Sequence, residues 1–152
     1  MYREEIKKIL LKNLENYNRL DIIVRYMYIE YYFNKNNKGK ELYNKMQKKR
    51  VPEEYKKKNF LEIFNKTIEE FKTGGLNDNF PLILNENLNL VDGSHRLSCC
   101  LYFDIKGKIN YTINNTKVNY DIKWFEENFK QEELKIIKEK YHYIINFLNM
   151  GE

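Results

Sequence analysis

Residues 91–103 read Val-Asp-Gly-Ser-His-Arg-Leu-Ser-Cys-Cys-Leu-Tyr-Phe. Rare residue types gather in this stretch. It holds both serines of the chain (Ser94, Ser98), both cysteines (Cys99, Cys100) and one of its two histidines. Asp92, Gly93, Ser94, His95 and Arg96 place a carboxylate, a Cβ-free backbone, a hydroxyl, an imidazole and a guanidinium in consecutive positions. An apolar run, Leu88 to Val91, precedes them, and a helix-like run, Leu97 to Phe103, follows. A strand that turns through glycine into a helix leaves the first helical N–H groups unpaired, and the helix dipole adds positive charge there. The chemistry expected of such a turn is phosphate or carboxylate binding.

Each residue has a structural alternative to a chemical role. Asp92 is suited to hold Mg²⁺ or to orient the turn, and equally to cap a helix. Gly93 serves close approach of a phosphate or a positive φ. Ser94 donates to a phosphate or caps. His95 sits at a helix start, where the dipole disfavours the cation, so a neutral, hydrogen-bonding imidazole is expected. Arg96 is the phosphate clamp, its planar fork matching phosphate oxygens; the alternative is an ion pair. Cys99 and Cys100 read as packed helix residues. With the distant His142 they give no zinc spacing, and His142 reads as solvated.

These residues need a strand, a turn and a helix to hold them, and the hydrophobic pattern supplies such elements. Apolar positions at Ile6, Ile9, Leu10, Leu14 and Tyr17 predict a helix over 2–17. Asp21 to Phe33 is apolar nearly all round, as in a buried helix, so Tyr26, Tyr28, Tyr31 and Tyr32 read as core. Lys40 to Lys49 continues as helix until Val51-Pro52. Phe60 to Phe71 is amphipathic and stops at Gly74-Gly75. Pro81–Leu84 and Leu88–Val91 are short strands. Lys108–Ile113 and Lys117–Ile122 are expected to form a hairpin across Asn114-Asn115-Thr116. Glu132–Leu148 is a final amphipathic helix. The fold class is α+β: a small mixed sheet with a helical N-terminal extension and a C-terminal helix.

At 152 residues the chain is the size of one domain with a real core. Its 42% apolar content excludes disorder. It has no alanine and much Lys, Asn, Ile and Tyr, the bias of an AT-rich coding sequence. The net charge of +5 is carried mainly by Lys, so it is discounted as a sign of nucleic-acid binding. Arginine is scarce: Arg3, Arg19, Arg25, Arg50 and Arg96. Positions that keep Arg are better candidates for bidentate anion contacts than any Lys. The Lys-rich runs at 48–49 and 56–58 read as a solvated face. Adjacent cysteines do not suit a disulfide, which fits a reducing cytoplasm. The charged start, Met1 to Lys8, is no signal peptide. No apolar stretch is long enough to span a membrane.

From Arg50 to Ile113 the order of features resembles the ParB/sulfiredoxin-like superfamily. There an Arg-containing segment precedes a helix that ends in glycine. A Pro-Ile-Val-like strand follows, then a short strand, then a Gly-x-His-Arg turn opening a helix. Here these are Arg50, Phe60–Phe71, Gly74-Gly75, Phe80-Pro81-Leu82-Ile83, Leu88–Val91 and Asp92-Gly93-Ser94-His95-Arg96. The resemblance implies a core over 50–122 that binds a nucleotide (ATP, ADP or CTP) at the turn. It implies phosphate contacts from Gly93, Ser94, His95, Arg96 and Arg50. Ser94 stands where sulfiredoxins carry their catalytic Cys, which argues against sulfinic acid reduction. No helix-turn-helix region follows the hairpin, which argues against DNA binding of the partition-protein kind. The Asp-Gly-x-His-Arg form resembles most the free serine kinase of this fold, and stand-alone ParB-like proteins encoded among polysaccharide-biosynthesis genes.

The resemblance to the kinase implies an early glutamate as general base, with Glu53 and Glu54 both candidates. The function expected is Mg²⁺-dependent phosphoryl transfer to a small-molecule or sugar acceptor, or nucleotide hydrolysis. Asp92 would lie near the metal. The alternatives are a non-catalytic nucleotide- or phosphosugar-sensing module and a DNA-associated ParB-like protein. The oligomeric state is left open.

Overall fold

The computed structural model describes residues 1–77 and 80–150. Its elements run β1 (Tyr2–Glu5), α1 (Ile6–Leu14), a 3-10 turn (Glu15–Tyr17), α2 (Leu20–Tyr32), α3 (Gly39–Arg50), α4 (Pro52–Lys57), α5 (Phe60–Gly74), β2 (Leu82–Leu84), β3 (Leu90–Asp92), α6 (Ser94–Tyr102), β4 (Lys108–Ile113), α7 (Ile122–Asn128) and α8 (Gln131–Asn149). The class is α+β, with one mixed four-stranded sheet in the order β1-β4-β2-β3. β2 runs parallel to β4 and antiparallel to β3.

Two sequence expectations change. The helix expected from residue 2 starts only at Ile6. Tyr2–Glu5 is a strand paired antiparallel with β4. An edge strand needs a partner ladder more than a helical period, and the charged Arg3, Glu4 and Glu5 suit an exposed edge. The hairpin over 108–122 does not form: β4 pairs with β1 and β2 instead. Residues 117–121 fold back on the helices, where the Tyr120 carbonyl accepts from Leu20 N–H at 3.1 Å. The turn then leads into α7, an element the sequence pattern did not reveal. Asp121 caps it, accepting from Trp124 N–H at 3.1 Å.

α2 is the hub. It packs against α3, α6 and α8, and Ile22, Ile23, Val24 and Ile29 are fully buried. That explains an apolar pattern with no clear polar face. Gly39 lets α3 start hard against it: a Cβ there would meet the Met27 carbonyl oxygen at 2.1 Å. The outer edge strand β3 is secured by Asn13 of α1. Its buried amide donates to the Leu88 carbonyl at 3.0 Å and accepts from Leu90 N–H at 2.8 Å. A side chain thus supplies the ladder partner that the edge lacks. α5 lies beside α6, so the turn between β3 and α6 opens onto a space walled by α5 and the end of α3.

Candidate functional site

β3 ends at Asp92, which pairs with Ile83 in the sheet. Gly93 then turns the chain with φ of +106° and stands as the residue preceding α6. Only glycine fits there. A Cβ would sit 2.5 Å from Leu82 Cδ2, in a conformation that side chains rarely adopt. Leu97 N–H donates to the Gly93 carbonyl at 2.9 Å and opens the helix. The N–H groups of Ser94, His95 and Arg96 precede that bond, and no side chain caps them. Asp92 is exposed and does not cap, so that alternative for it is removed. The Ser98 hydroxyl bonds the Ser94 carbonyl at 2.7 Å and stiffens the first turn.

A cavity of about 610 Å³ lies against this turn. Asp92, Gly93, Ser94, His95, Arg96, Arg50 and Glu54 all line it. Glu53 does not: it is exposed and pairs with Lys56 at 3.6 Å. Of the two candidate glutamates, geometry therefore brings Glu54 to the turn. The apolar wall comes from Phe60, Phe71, Leu76 and Phe80. Three exposed carboxylates, Glu54, Glu70 and Asp92, line it as well.

His95 stacks on Phe64, with ring centroids 4.3 Å apart. A 2.8 Å hydrogen bond joins its Nε2 to the Tyr43 hydroxyl, which leaves Nδ1 without a partner among the described residues. Burial holds the imidazole well below its ordinary range, and the positive charges of Arg25 and Arg50 add to the effect. The neutral ring expected at this position is present, for a larger reason than the helix dipole. Arg96 donates to the carbonyls of Phe80 and Pro81, the latter at 3.2 Å. Its guanidinium thus ties the approach to β2 onto the turn, and any anion must share it with those carbonyls. Cys99 and Cys100 are buried in α6, and burial pushes the Cys100 thiol up to about 12.

Sequence reasoning did not place three further residues at this site. Arg25 of α2 and Gln47 of α3 line the cavity although each is only 1% exposed; Asp21 lies behind them, fully buried. The Asp21 carboxylate accepts from Arg19 through two bonds of 2.8 and 2.9 Å and from Arg25 through one of 2.8 Å. These two guanidiniums hold its carboxyl far below the usual carboxylate range against the cost of burial. Gln47 Oε1 accepts from Arg25 at 3.3 Å and from Arg50 at 2.6 Å. Arg50 also lies over the Tyr120 ring at 4.6 Å, so the folded-back segment 117–121 covers it. The scarcity of arginine was the signal available: four of the five, Arg19, Arg25, Arg50 and Arg96, meet in and behind this cavity. What the sequence lacked was the folding of α2 and α3 against the turn.

Compared with known proteins, the chain matches no family model, no curated protein and no solved structure. Among the described residues, no helix is long and apolar enough to cross a membrane.

Proposed function

We propose that the cavity binds a nucleotide by its phosphates, and that the protein is a ParB/sulfiredoxin-like phosphotransferase or nucleotide hydrolase acting with Mg²⁺ on a small-molecule or sugar acceptor. One observation carries this reading. The uncapped start of α6 and the guanidiniums of Arg25, Arg50 and Arg96 line the same cavity. Backbone N–H groups and planar guanidiniums are the donors that phosphate oxygens take. The wall of Phe60, Phe71 and Phe80 is suited to a base or sugar face.

Catalysis in such a site rests on positioning and charge neutralisation. Residues 94–96 and Arg50 would hold the phosphate oxygens. Glu54, exposed at the cavity, would take the proton from the attacking hydroxyl as its oxygen bonds to phosphorus and the bridging P–O bond breaks. Among the described residues no three His, Cys, Asp or Glu are grouped to hold a metal. Asp92 together with phosphate oxygens is the donor set Mg²⁺ accepts, and the ion would neutralise phosphate charge.

A second reading, a sensing module without turnover, draws on a separate observation. Arg96 and His95 Nε2 are already engaged by carbonyls and by Tyr43. The experiment is a thermal-shift panel of ATP, ADP, CTP and a phosphosugar, with and without Mg²⁺, followed by assays for phosphate release and transfer. A ligand that binds the folded state raises the melting temperature by mass action. A shift with turnover supports the enzyme, and a shift without turnover supports the sensor. No shift with any of these ligands removes both.

A further inference from the structure

The buried side of the cavity carries an imbalance of charge. Arg19, Arg25 and Arg50 gather around a buried carboxylate, Asp21, which among the described residues is bonded to Arg19 and Arg25 and not to Arg50. On this inner side three guanidiniums against one carboxylate leave two positive charges over; the cavity's other carboxylates, Glu54, Glu70 and Asp92, are exposed. Arg50 has no ion pair among the described residues; its Nη1 meets only the neutral Gln47 amide oxygen. Arg25 is 1% exposed, and its Nε is buried without a hydrogen-bond partner among the described residues. The Nε of Arg50 is in the same condition. A buried cation, Arg25, that faces a half-buried one, Arg50, across a neutral amide is costly unless an anion joins them. Their mutual effect is visible: burial and then Arg50 lower the Arg25 guanidinium to about 10. Both residues line the open cavity.

We infer that Arg25, Arg50 and the Gln47 amide between them form the floor of a phosphate subsite, at which the N-terminal helices α2 and α3 bind the oxyanion together with the start of α6. The inference rests on the reading of the cavity as a phosphate site. Arg50 already belongs to that reading; the inference adds Arg25 and Gln47, which precede the 50–122 core to which the motif resemblance is confined. A phosphate group there accepts from the two guanidiniums that line the cavity, and it neutralises the surplus charge. Asp21 holds Arg25 from behind, and Tyr120 holds Arg50 by its ring face. Both guanidiniums are thus oriented before any ligand arrives, which lowers the cost of binding.

Gln47→Glu tests the subsite with little change of shape. It sets a carboxylate between the two guanidiniums, where the ligand's charge is needed. The full chain is titrated with inorganic phosphate by calorimetry at constant ionic strength, with acetate as a control for any anion, and its melting temperature is recorded. Gln47→Glu is expected to melt at or above the wild-type temperature and to bind phosphate about tenfold or more weakly. Arg50→Lys keeps the charge, loses the planar fork, and is expected to weaken phosphate in the same direction. It decides the matter should Gln47→Glu fail to fold. Equal phosphate affinity in wild type and folded variant overturns the inference, as does acetate binding as tightly as phosphate or no phosphate binding to wild type. The nucleotide reading is separable. Nucleotides binding equally to wild type and Gln47→Glu would sink the subsite and leave that reading standing. Gln47-dependent phosphate binding without any nucleotide binding would do the reverse.

Discussion

The two sides of the cavity meet an anion by different means. On the α6 side the donors are backbone N–H groups, fixed by one glycine and one helix start, and carrying only partial charge. On the α2–α3 side they are full charges on long side chains, held by Asp21, Gln47 and Tyr120. The first side is local: residues 92–97 build it almost alone. The second is assembled from residues far apart in sequence and depends on every helix that packs there. A backbone site tolerates solvent, whereas buried guanidiniums demand partners. The contrast teaches where the fold stores its vulnerability: loss of the Asp21 counter-charge behind the α2–α3 side should unfold the protein, whereas loss of an exposed carboxylate at the α6 mouth should cost function alone.

The largest effect is expected at the carboxylate behind the arginines. Asp21→Asn leaves Arg19 and Arg25 buried without their counter-charge and should cost about 3–5 kcal/mol, the range for breaking a buried pair. Denaturant unfolding measures it, and a loss below 1 kcal/mol would erase the difference between the two sides. Next comes Gly93→Ala on the α6 side. Positive φ and the contact with Leu82 together predict a loss of about 1–3 kcal/mol, readable in the same experiment.

Acid should strain the contact between the sides. His95 is held neutral when folded, and the unfolded chain takes up a proton near its ordinary 6.5. The unfolded state then binds more protons, so stability falls as pH drops below that value, by at most about 1.4 kcal/mol per pH unit for one group. Asp21 adds a further loss once pH falls below its ordinary 3.8, because its folded carboxyl is held lower still. Unfolding curves at pH 7 and pH 5 for wild type and His95→Gln give the check: the variant should lose less stability over that interval.

The smallest effects on stability belong to the exposed carboxylates. Asp92→Asn, Glu54→Gln and Glu53→Gln should leave the melting temperature unchanged, since Asp92 does not cap α6 and, among the described residues, the two glutamates pair with exposed lysines alone. Function should separate them. Asp92→Asn is expected to lose Mg²⁺-dependent turnover and Glu54→Gln to slow it, while Glu53→Gln retains it. Equal rates for the two glutamate variants would remove Glu54 from the role of base.

The sequence determined what short range can determine. Period and punctuation gave α2, α3, α5, α6 and α8, and the run Val91-Asp92-Gly93-Ser94 marked the turn and the helix start at Ser94; the strand expected over Leu88–Val91 runs instead over Leu90–Asp92, because Leu88 belongs to the preceding turn, its N–H bonded to the Asn85 carbonyl at 3.0 Å. Those features depend on neighbours within a turn or two, and glycine at 93 admits few alternatives. Tertiary structure decided what depends on partners. The sequence of Tyr2–Glu5 carries no strong strand signal, and the β4 edge makes it a strand. Lys117–Asp121 alternates like a strand, yet it serves as the cover over Arg50 because β4 was already paired on both sides. Choosing Glu54 over Glu53 took the angle of one short helix. Arg25 lies inside an apolar helix, where periodicity marks it only as an interruption. Its meaning comes from α3 and α6 packing beside it, because a buried charge is defined by what surrounds it.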